Sequence, residues 1–501
     1  MPDFKTPGVY VKEINTFPNA VVAVDTAVPA FIGCTAIAMR GDASLLNKPT
    51  RISSLVEYQM LFGEGPAIMW SYGASSKWTV VPHSQFYFYS AIRLFFENGG
   101  GPCYIVSVDS FDAVAKAGGM AAFDGAAKVG QALDALKNEQ EPTMVVVPDA
   151  VLMDIDQWQA VCQQVLDHCN AMQTCIAIFD VPHGDQARNH DPVSDVISGQ
   201  DGFRARIGRP AGEGLSYGAA YYPWLNTCLM DAAQINFTLL EDDSRARLAA
   251  ELSAEALAMQ APVPGALRVA ITQLATPGTS GADVLAAHQV LRATSPLYQR
   301  VMGELLQQIN VVPPSGAIAG VYARVDNERG VSNAPANIGI VAAVSPVVPI
   351  TNQDQDDLNA PLDGLAVNAI RTFPGRGLVI WGARTLDGNS QDWRYINVRR
   401  TVIMLEQSIK LAARAYCFEP NTAVTWTAVR SMVSDFLVTC WKQGMLAGAR
   451  PQDAFNVSIG LGNTMAADDV LAGWMKFSVM VALVRPAEFI VLTFQQQMNN
   501  A

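Results

Sequence analysis

The pattern with the plainest chemical reading is Gly214-Leu215-Ser216-Tyr217-Gly218, because G-x-S-x-G marks a serine nucleophile held on a sharp turn between a strand and a helix. That chemistry needs a strand before the serine, then an acid and a histidine later in the chain. Arg209 to Gly214 (RPAGEG) reads instead as a loop, and the only later histidine, His288, sits in an ordinary helical pattern. Serine hydrolysis through Ser216 is kept only as an alternative. Asn98-Gly99-Gly100-Gly101-Pro102 has the glycines of a phosphate cradle, but it lies between a helix and a strand. Phosphate sites need the reverse order, and no Lys-Ser/Thr follows here. Asp354, Asp356 and Asp357 lack the Gly and Glu of a calcium loop and read as acids at a helix N-terminus. His183, Asp185, His190 and Asp191 match no strong metal spacing. The cysteines form no CxxC pair, and Cys162 and Cys169 read as buried thiols on a helix with Val165, Leu166 and Met172. The sequence therefore assigns no catalytic residue, no cofactor and no metal.

The chain has 501 residues, half of them hydrophobic and 16% charged, which is material for about three compact units. Its formal charge of -12 argues against a direct nucleic-acid binder, since phosphate neutralisation needs clustered Lys and Arg. Charge is unevenly placed: Gly364 to Arg450 holds eleven Lys plus Arg against five Asp plus Glu, a local +6 that leaves -18 elsewhere. The N-terminus lacks the features of a secretory signal, and the most apolar run, Phe477 to Phe494, is broken by Arg485, Pro486 and Glu488. The expectation is a chain made in a cytoplasm, with no membrane insertion.

Apolar periodicity supplies the elements. Phe31 to Cys34 and Cys103 to Val108 read as buried strands, with a helix over Phe86 to Glu97 between them. Met144 to Val147, a helix carrying Trp158, Val161, Cys162, Val165, Leu166 and Cys169, and Cys175 to Asp180 form a βαβ crossover, which implies parallel strands. Asp242 to Asn310 is helical, with Leu248, Leu252 and Leu257 on one stripe and Val301, Leu305, Leu306 and Ile309 on another. Gly316 to Val321 opens a small-residue helix, and Arg324, Asp326, Glu328 and Arg329 are expected on an exposed polar turn after it. Gly377 to Trp381 reads as a strand, followed by amphipathic helices on Val398, Val402, Leu405, Ile409 and on Val429, Val433, Phe436, Leu437, Cys440. Val9 to Val11 and Arg485 to Phe494 read as terminal strands that need partners, the second behind a Pro hinge.

Several of these stretches resemble the contractile tail sheath proteins of phages and related injection particles. They are Thr6-Pro7-Gly8-Val9-Tyr10, NGGGPCYIV from Asn98, the aromatic segment Ser216 to Trp224, and VPPSGAIAGVYARVDNERGVSNAPANIGI from Val312. Further matches are Gly364 to Arg400, Phe418-Glu419-Pro420-Asn421 and Leu446 to Phe455. After Phe455 the family continues with a polar strand pair, whereas Asn456 to Met465 is rich in Gly and Asn.

The resemblance implies an α/β protein: an α+β inner assembly domain from both chain ends (26–110 with 345–484) and an inserted outer α/β region (111–344, with 242–310 as a helical elaboration). Extended arms lie at 1–25 and 485–501. It implies a helical homo-oligomer around an inner tail tube, with baseplate and tail terminator proteins as further partners, in a virion tail or contractile particle. Its contraction drives the tube through a target envelope. Val9, Tyr10, Val11, Phe489, Ile490, Val491, Leu492 and Thr493 are then the candidate inter-subunit strands. Arg399, Lys410, Arg414, Arg430 and Lys442 are candidates for docking on the tube or on neighbouring subunits. An arm-exchanging shell or capsid-like protein is the nearer alternative.

Overall fold

Short apolar runs bounded by turns set the core, because a strand covered on both faces has no polar side to present. Eight strands form one sheet, with such runs at its centre: β1 (Pro29–Thr35), β2 (Thr50–Ile52), β3 (Cys103–Ser110), β4 (Met144–Val146), β5 (Ile176–Asp180), β6 (Gly218–Tyr222), β7 (Asn368–Phe373) and β8 (Gly377–Ile380). Their order across the sheet is β8-β7-β6-β5-β4-β1-β3-β2. The inner strands run parallel, and β8 and β2 close the edges antiparallel. Every residue of β1, β4, β5 and β6 is buried. The computed structural model describes residues 20–72, 77–208, 214–258, 263–278 and 281–489. Val9, Tyr10, Val11, Ile490, Val491, Leu492 and Thr493 lie outside the described residues.

The expected βαβ crossover is present: β4 leads through the helix Ile155–Met172 into β5, and the two strands pair in parallel. Trp158, Val161, Cys162, Val165, Leu166 and Cys169 are its buried stripe. The expected boundary at residues 110/111 is not a structural one. β4, β5 and β6, all from 111–344, lie in the same sheet as β1 and β3 on one side and β7 on the other. The compact units divide elsewhere: Asp25–Arg400 with the chain from Glu488, and Thr401–Ala487 with the residues up to Val24. Apolar runs identify strands but carry nothing about which strands become neighbours, so an interleaved sheet reads as two regions.

In the larger unit, the helix Phe88–Glu97 begins under Asp149, whose Oδ1 accepts the N–H groups of Tyr87 at 2.6 Å and Phe88 at 3.0 Å. It packs against the helix Ser315–Arg329 so closely that a Cβ on Gly316 would stand 2.3 Å from the Ala91 oxygen, and one on Gly320 2.5 Å from the Phe95 oxygen. Only glycine allows that approach. The second helix runs through Arg324 to Arg329 and ends at Gly330, so the expected polar turn is its last turns. Asn352–Asn359 is a helix with Thr351 and Asp354 in a capping box, the role read for its acids.

Asp242 to Ile309 forms four helices, whose core includes Leu248, Leu252, Leu274, Leu291, Tyr298 and Leu305, joined by Trp70 and Trp78 of a distant hairpin. Leu257, placed on that stripe by spacing, is 80% exposed. Five residues past Leu252, it is turned roughly 140° from that stripe, and Ala256 takes the buried position.

The smaller unit is built on the helix Ala423–Lys442, with Val429, Met432, Val433, Phe436, Leu437 and Cys440 buried. The strand pair implied by the resemblance is present as an antiparallel hairpin, Phe455–Ile459 with Phe477–Val481, despite the Gly- and Asn-rich sequence between. No helix among the described residues is long and apolar enough to cross a membrane.

Candidate assembly interface

Ser216 is placed for structure. It lies in a single 3-10 turn before β6, so the order is turn then strand, the reverse of a nucleophile elbow. Its Oγ accepts the Arg399 Nη2 at 2.7 Å, and Arg399 is itself held between the rings of Trp393 at 3.6 Å and Tyr217 at 4.2 Å. Tyr217, Tyr221, Tyr222 and Trp224 are all buried, as the aromatic reading of this segment expects. The hydrolase alternative is thereby corrected: the serine serves an internal arginine. His190 pairs with Asp354 at 2.9 Å, and no group of three potential ligands forms a metal site among the described residues.

Arg399 is also a correction among the docking candidates. It is 6% exposed, with its charge spent inside the subunit. Arg384 and Arg400 of the same basic stretch are buried as well. Arginine's planar, weakly hydrated guanidinium suits such buried forks better than lysine's ammonium does. The other candidates, Lys410, Arg414, Arg430 and Lys442, are exposed on the smaller unit; Arg430 donates to the Ile459 oxygen of the hairpin.

Two buried networks lie within the larger unit, close to the points where the chain enters and leaves it. Arg400 binds both oxygens of Asp326, at 2.9 and 2.6 Å, and donates to the Thr26 carbonyl at 2.8 Å, while Thr26 Oγ1 donates to Asp326 at 2.6 Å. Both charged side chains are 3% exposed. Just before this point, within the smaller unit, the Val24 N–H donates to Ser408 Oγ at 3.1 Å. At the other end, Glu488 accepts Arg384 Nε and Nη2 at 2.9 and 2.6 Å, Asn359 Nδ2 at 2.7 Å and Tyr395 Oη at 3.1 Å. Burial works against this carboxylate, but Arg384 and Asn359 hold its pKa below the ordinary range. Phe489, the next residue, is 76% exposed. Sequence reading missed these anchors. A usable signal was present: Arg400 stands on the same helix face as the buried Ile396 and Ile403, and Asp326 four residues after the buried Tyr322. A charge on an apolar stripe needs a buried counter-charge.

The smaller unit offers what a partner could cover. Its hairpin has two strands only, so two outer edges have no third strand among the described residues. Leu411, Phe418, Val424, Leu461, Leu471, Trp474 and Met480 are exposed, with Phe418 fully so in a left-handed backbone conformation of φ 72°. Met480 lies on the hairpin itself, and large apolar side chains left open in this number are a feature of surfaces that other chains cover.

Those features define an assembly subunit. Residues 389–497 match the Phage tail sheath C-terminal domain. The chain is 28% identical over 169 residues to the tail sheath protein of Salmonella phage ViI, covering 33% of this chain and 26% of that protein. It is 32% identical over 128 residues to the tail sheath protein of Enterobacteria phage T4, covering 25% and 19%. The aligned parts thus span about a quarter or less of these relatives' length. The helical sheath of the anti-feeding prophage in its contracted state has the same fold across 99% of this chain and 100% of that one, with a TM-score of 0.60 and 28% identity. Residues 389–497 thus carry the phage tail sheath C-terminal domain, and nearly the whole chain shares the fold of a contractile injection system's sheath.

Proposed function

We propose that this chain is the structural subunit of a contractile sheath, polymerising helically around an inner tail tube and contracting to drive the tube through a target envelope. The observation that carries this reading is the likeness over nearly the whole chain to the contracted helical sheath of the anti-feeding prophage. The same prophage's baseplate structure also holds a chain of this fold, at 27% identity and a TM-score of 0.61, which supports a baseplate among the partners. Tail terminator proteins complete the proposed set, in a phage tail or contractile particle assembled in a bacterial cytoplasm.

Head-to-tail contacts that do not close on themselves generate helices. In the proposed mechanism, Val9 to Val11 and Phe489 to Thr493 add strands to sheets of neighbouring subunits. The hairpin Phe455–Ile459 with Phe477–Val481 is the acceptor surface. Each backbone hydrogen bond contributes about 0.5–1.5 kcal/mol net, but the linkage repeats at every subunit. Such arms keep neighbours connected while the bodies move, and improved packing between subunits supplies the work of contraction without hydrolysis. Lys410, Arg414, Arg430 and Lys442 are the proposed docking cations.

The test is electron microscopy of the full chain expressed with its tube protein, against a version ending at Phe489. The full chain is expected to form long helical tubes and the shortened one folded, unassembled subunits. Closed shells, or normal tubes from the shortened chain, overturn the reading.

A further inference from the structure

Under the turn joining the helix Ile155–Met172 to β5, two thiols face one another. Cys169 Sγ and Cys175 Sγ are 3.6 Å apart, and both side chains are buried. The backbone brings them together: Gln173 takes a left-handed φ of 55° and its N–H returns to the Cys169 carbonyl at 2.9 Å, so the chain reverses within one turn. The His168 side chain stands beside the Cys175 thiol. His168 is 7% exposed and its Nδ1 is buried without a hydrogen-bond partner. Buried polar atoms are rarely left so, since desolvation is not offset. Filling this space needs neither two sulfurs in contact nor an open imidazole nitrogen.

We propose that Cys169 and Cys175 form a redox-closable dithiol, a modification site whose co-reactant is a two-electron oxidant of the peroxide class. The Cys175 thiol gives its proton to the His168 imidazole, and its sulfur attacks one peroxide oxygen. The O–O bond breaks, hydroxide leaves and takes up a proton as water, and Cys175 becomes a sulfenic acid. Cys169 then attacks that sulfur: the S–S bond forms, the S–O bond breaks, and the departing hydroxide leaves as a second water with the Cys169 proton. Two thiols and one peroxide give one disulfide and two waters. Closure needs the sulfurs to approach by roughly 1.5 Å, from 3.6 Å to disulfide length. Cys175 is the attacking member, because the His168 imidazole and the Thr174 hydroxyl stand beside its thiol, the first to take the proton and the second to donate to the thiolate. The bond ties the last turn of the helix to the start of a central strand, and it belongs to an oxidising medium.

The test uses the full chain with the exposed thiols replaced, Cys228→Ser and Cys417→Ser. The folded protein is treated with hydrogen peroxide, then unfolded, alkylated, and cleaved after Leu166 and Phe179, which isolates Cys169 and Cys175 from Cys162. The expected peptide is lighter than the reduced one by two hydrogen atoms and takes no alkyl group. His168→Asn is expected to slow its formation severalfold. In Cys169→Ser, Cys175 is expected to accumulate as a sulfenic acid trapped by dimedone. A wild-type peptide that still takes two alkyl groups, or Cys175 sulfinic acid without the disulfide, overturns the proposal.

Discussion

Arg384 and Glu488, 104 residues apart in sequence, meet as a two-point ion pair with N–O distances of 2.9 and 2.6 Å. The Arg384 side chain is 6% exposed and that of Glu488 20%, so the pair is buried on the arginine side and near water on the other. Replacing one member of a buried pair strands the other charge, at a cost of about 3–5 kcal/mol, and the partial exposure of Glu488 reduces this to about 2–3 kcal/mol. Glu488→Gln is expected to lose stability by that amount at pH 7. The sign with pH follows from the lowered folded pKa: the contribution is present above the unfolded value near 4.5 and is lost as pH falls through the lower folded one. Urea unfolding of both proteins at pH 7 and pH 3 checks it, and a difference that does not shrink at pH 3 refutes the assignment.

Asp180 gives the opposite sign. It ends β5, its Oδ1 accepts the Ser315 N–H at 2.8 Å, and burial raises its pKa to about 7 against the pull of that bond. A carboxyl with a raised folded pKa binds more protons folded than unfolded, so stability falls as pH climbs from about 4 to about 7. Asp180→Asn keeps an acceptor for Ser315 and removes the titration. Relative to wild type, the variant is expected to gain on the order of a few kcal/mol between pH 4 and pH 8.5. Parallel denaturation curves at the two pH values test this; a constant difference between the proteins sinks it.

What the sequence made legible follows from which signals are local. The βαβ unit around Trp158 to Cys169 and the acid Asp354 at a helix N-terminus were readable because apolar spacing and helix-end chemistry act over a few residues. The sheet order was not, since β6 and β7 are neighbours across more than a hundred residues and no periodicity records pairing. The basic stretch misled for a different reason. Arg384, Arg399 and Arg400 look like a solvated cluster in the sequence, but each is matched by a distant partner: Glu488, the Ser216-Tyr217 turn, and Asp326. Composition reports the charge and is silent about the counter-charge.

Close helix packing gives a further expectation. Gly316 and Gly320 lie one turn apart, and a methyl group at either meets the backbone of Phe88–Glu97 below contact distance. Backbone cannot rotate aside as a side chain can, so the helices must separate. Gly320→Ala is expected to destabilise by about 1–3 kcal/mol, the range of overpacking, despite alanine's better helix propensity. Gly303→Ala, in a helix with nothing within 4 Å of the new methyl, is the control and is expected to be neutral or stabilising. Thermal melts of the pair decide it; equal melting temperatures for the two variants refute the packing argument.

Charge reversal separates the internal arginine from the surface cations. Arg399→Glu places a carboxylate between Trp393 and Tyr217, where the ring faces are negative, and leaves Ser216 facing an anion. It is expected to destabilise the subunit by about 3 kcal/mol or more, through the loss of a desolvated charge from its partners. Lys410→Glu with Lys442→Glu changes two exposed side chains, and surface substitutions of this kind stay within about 0.5 kcal/mol. That double variant is therefore expected to melt with wild type and yet to form fewer or shorter tubes with the tube protein. Salt sharpens the contrast, since screening weakens docking between exposed charges and leaves the buried stack almost untouched. Sheath yields that are equal for wild type and the Lys410/Lys442 variant at low salt remove both lysines from the docking surface.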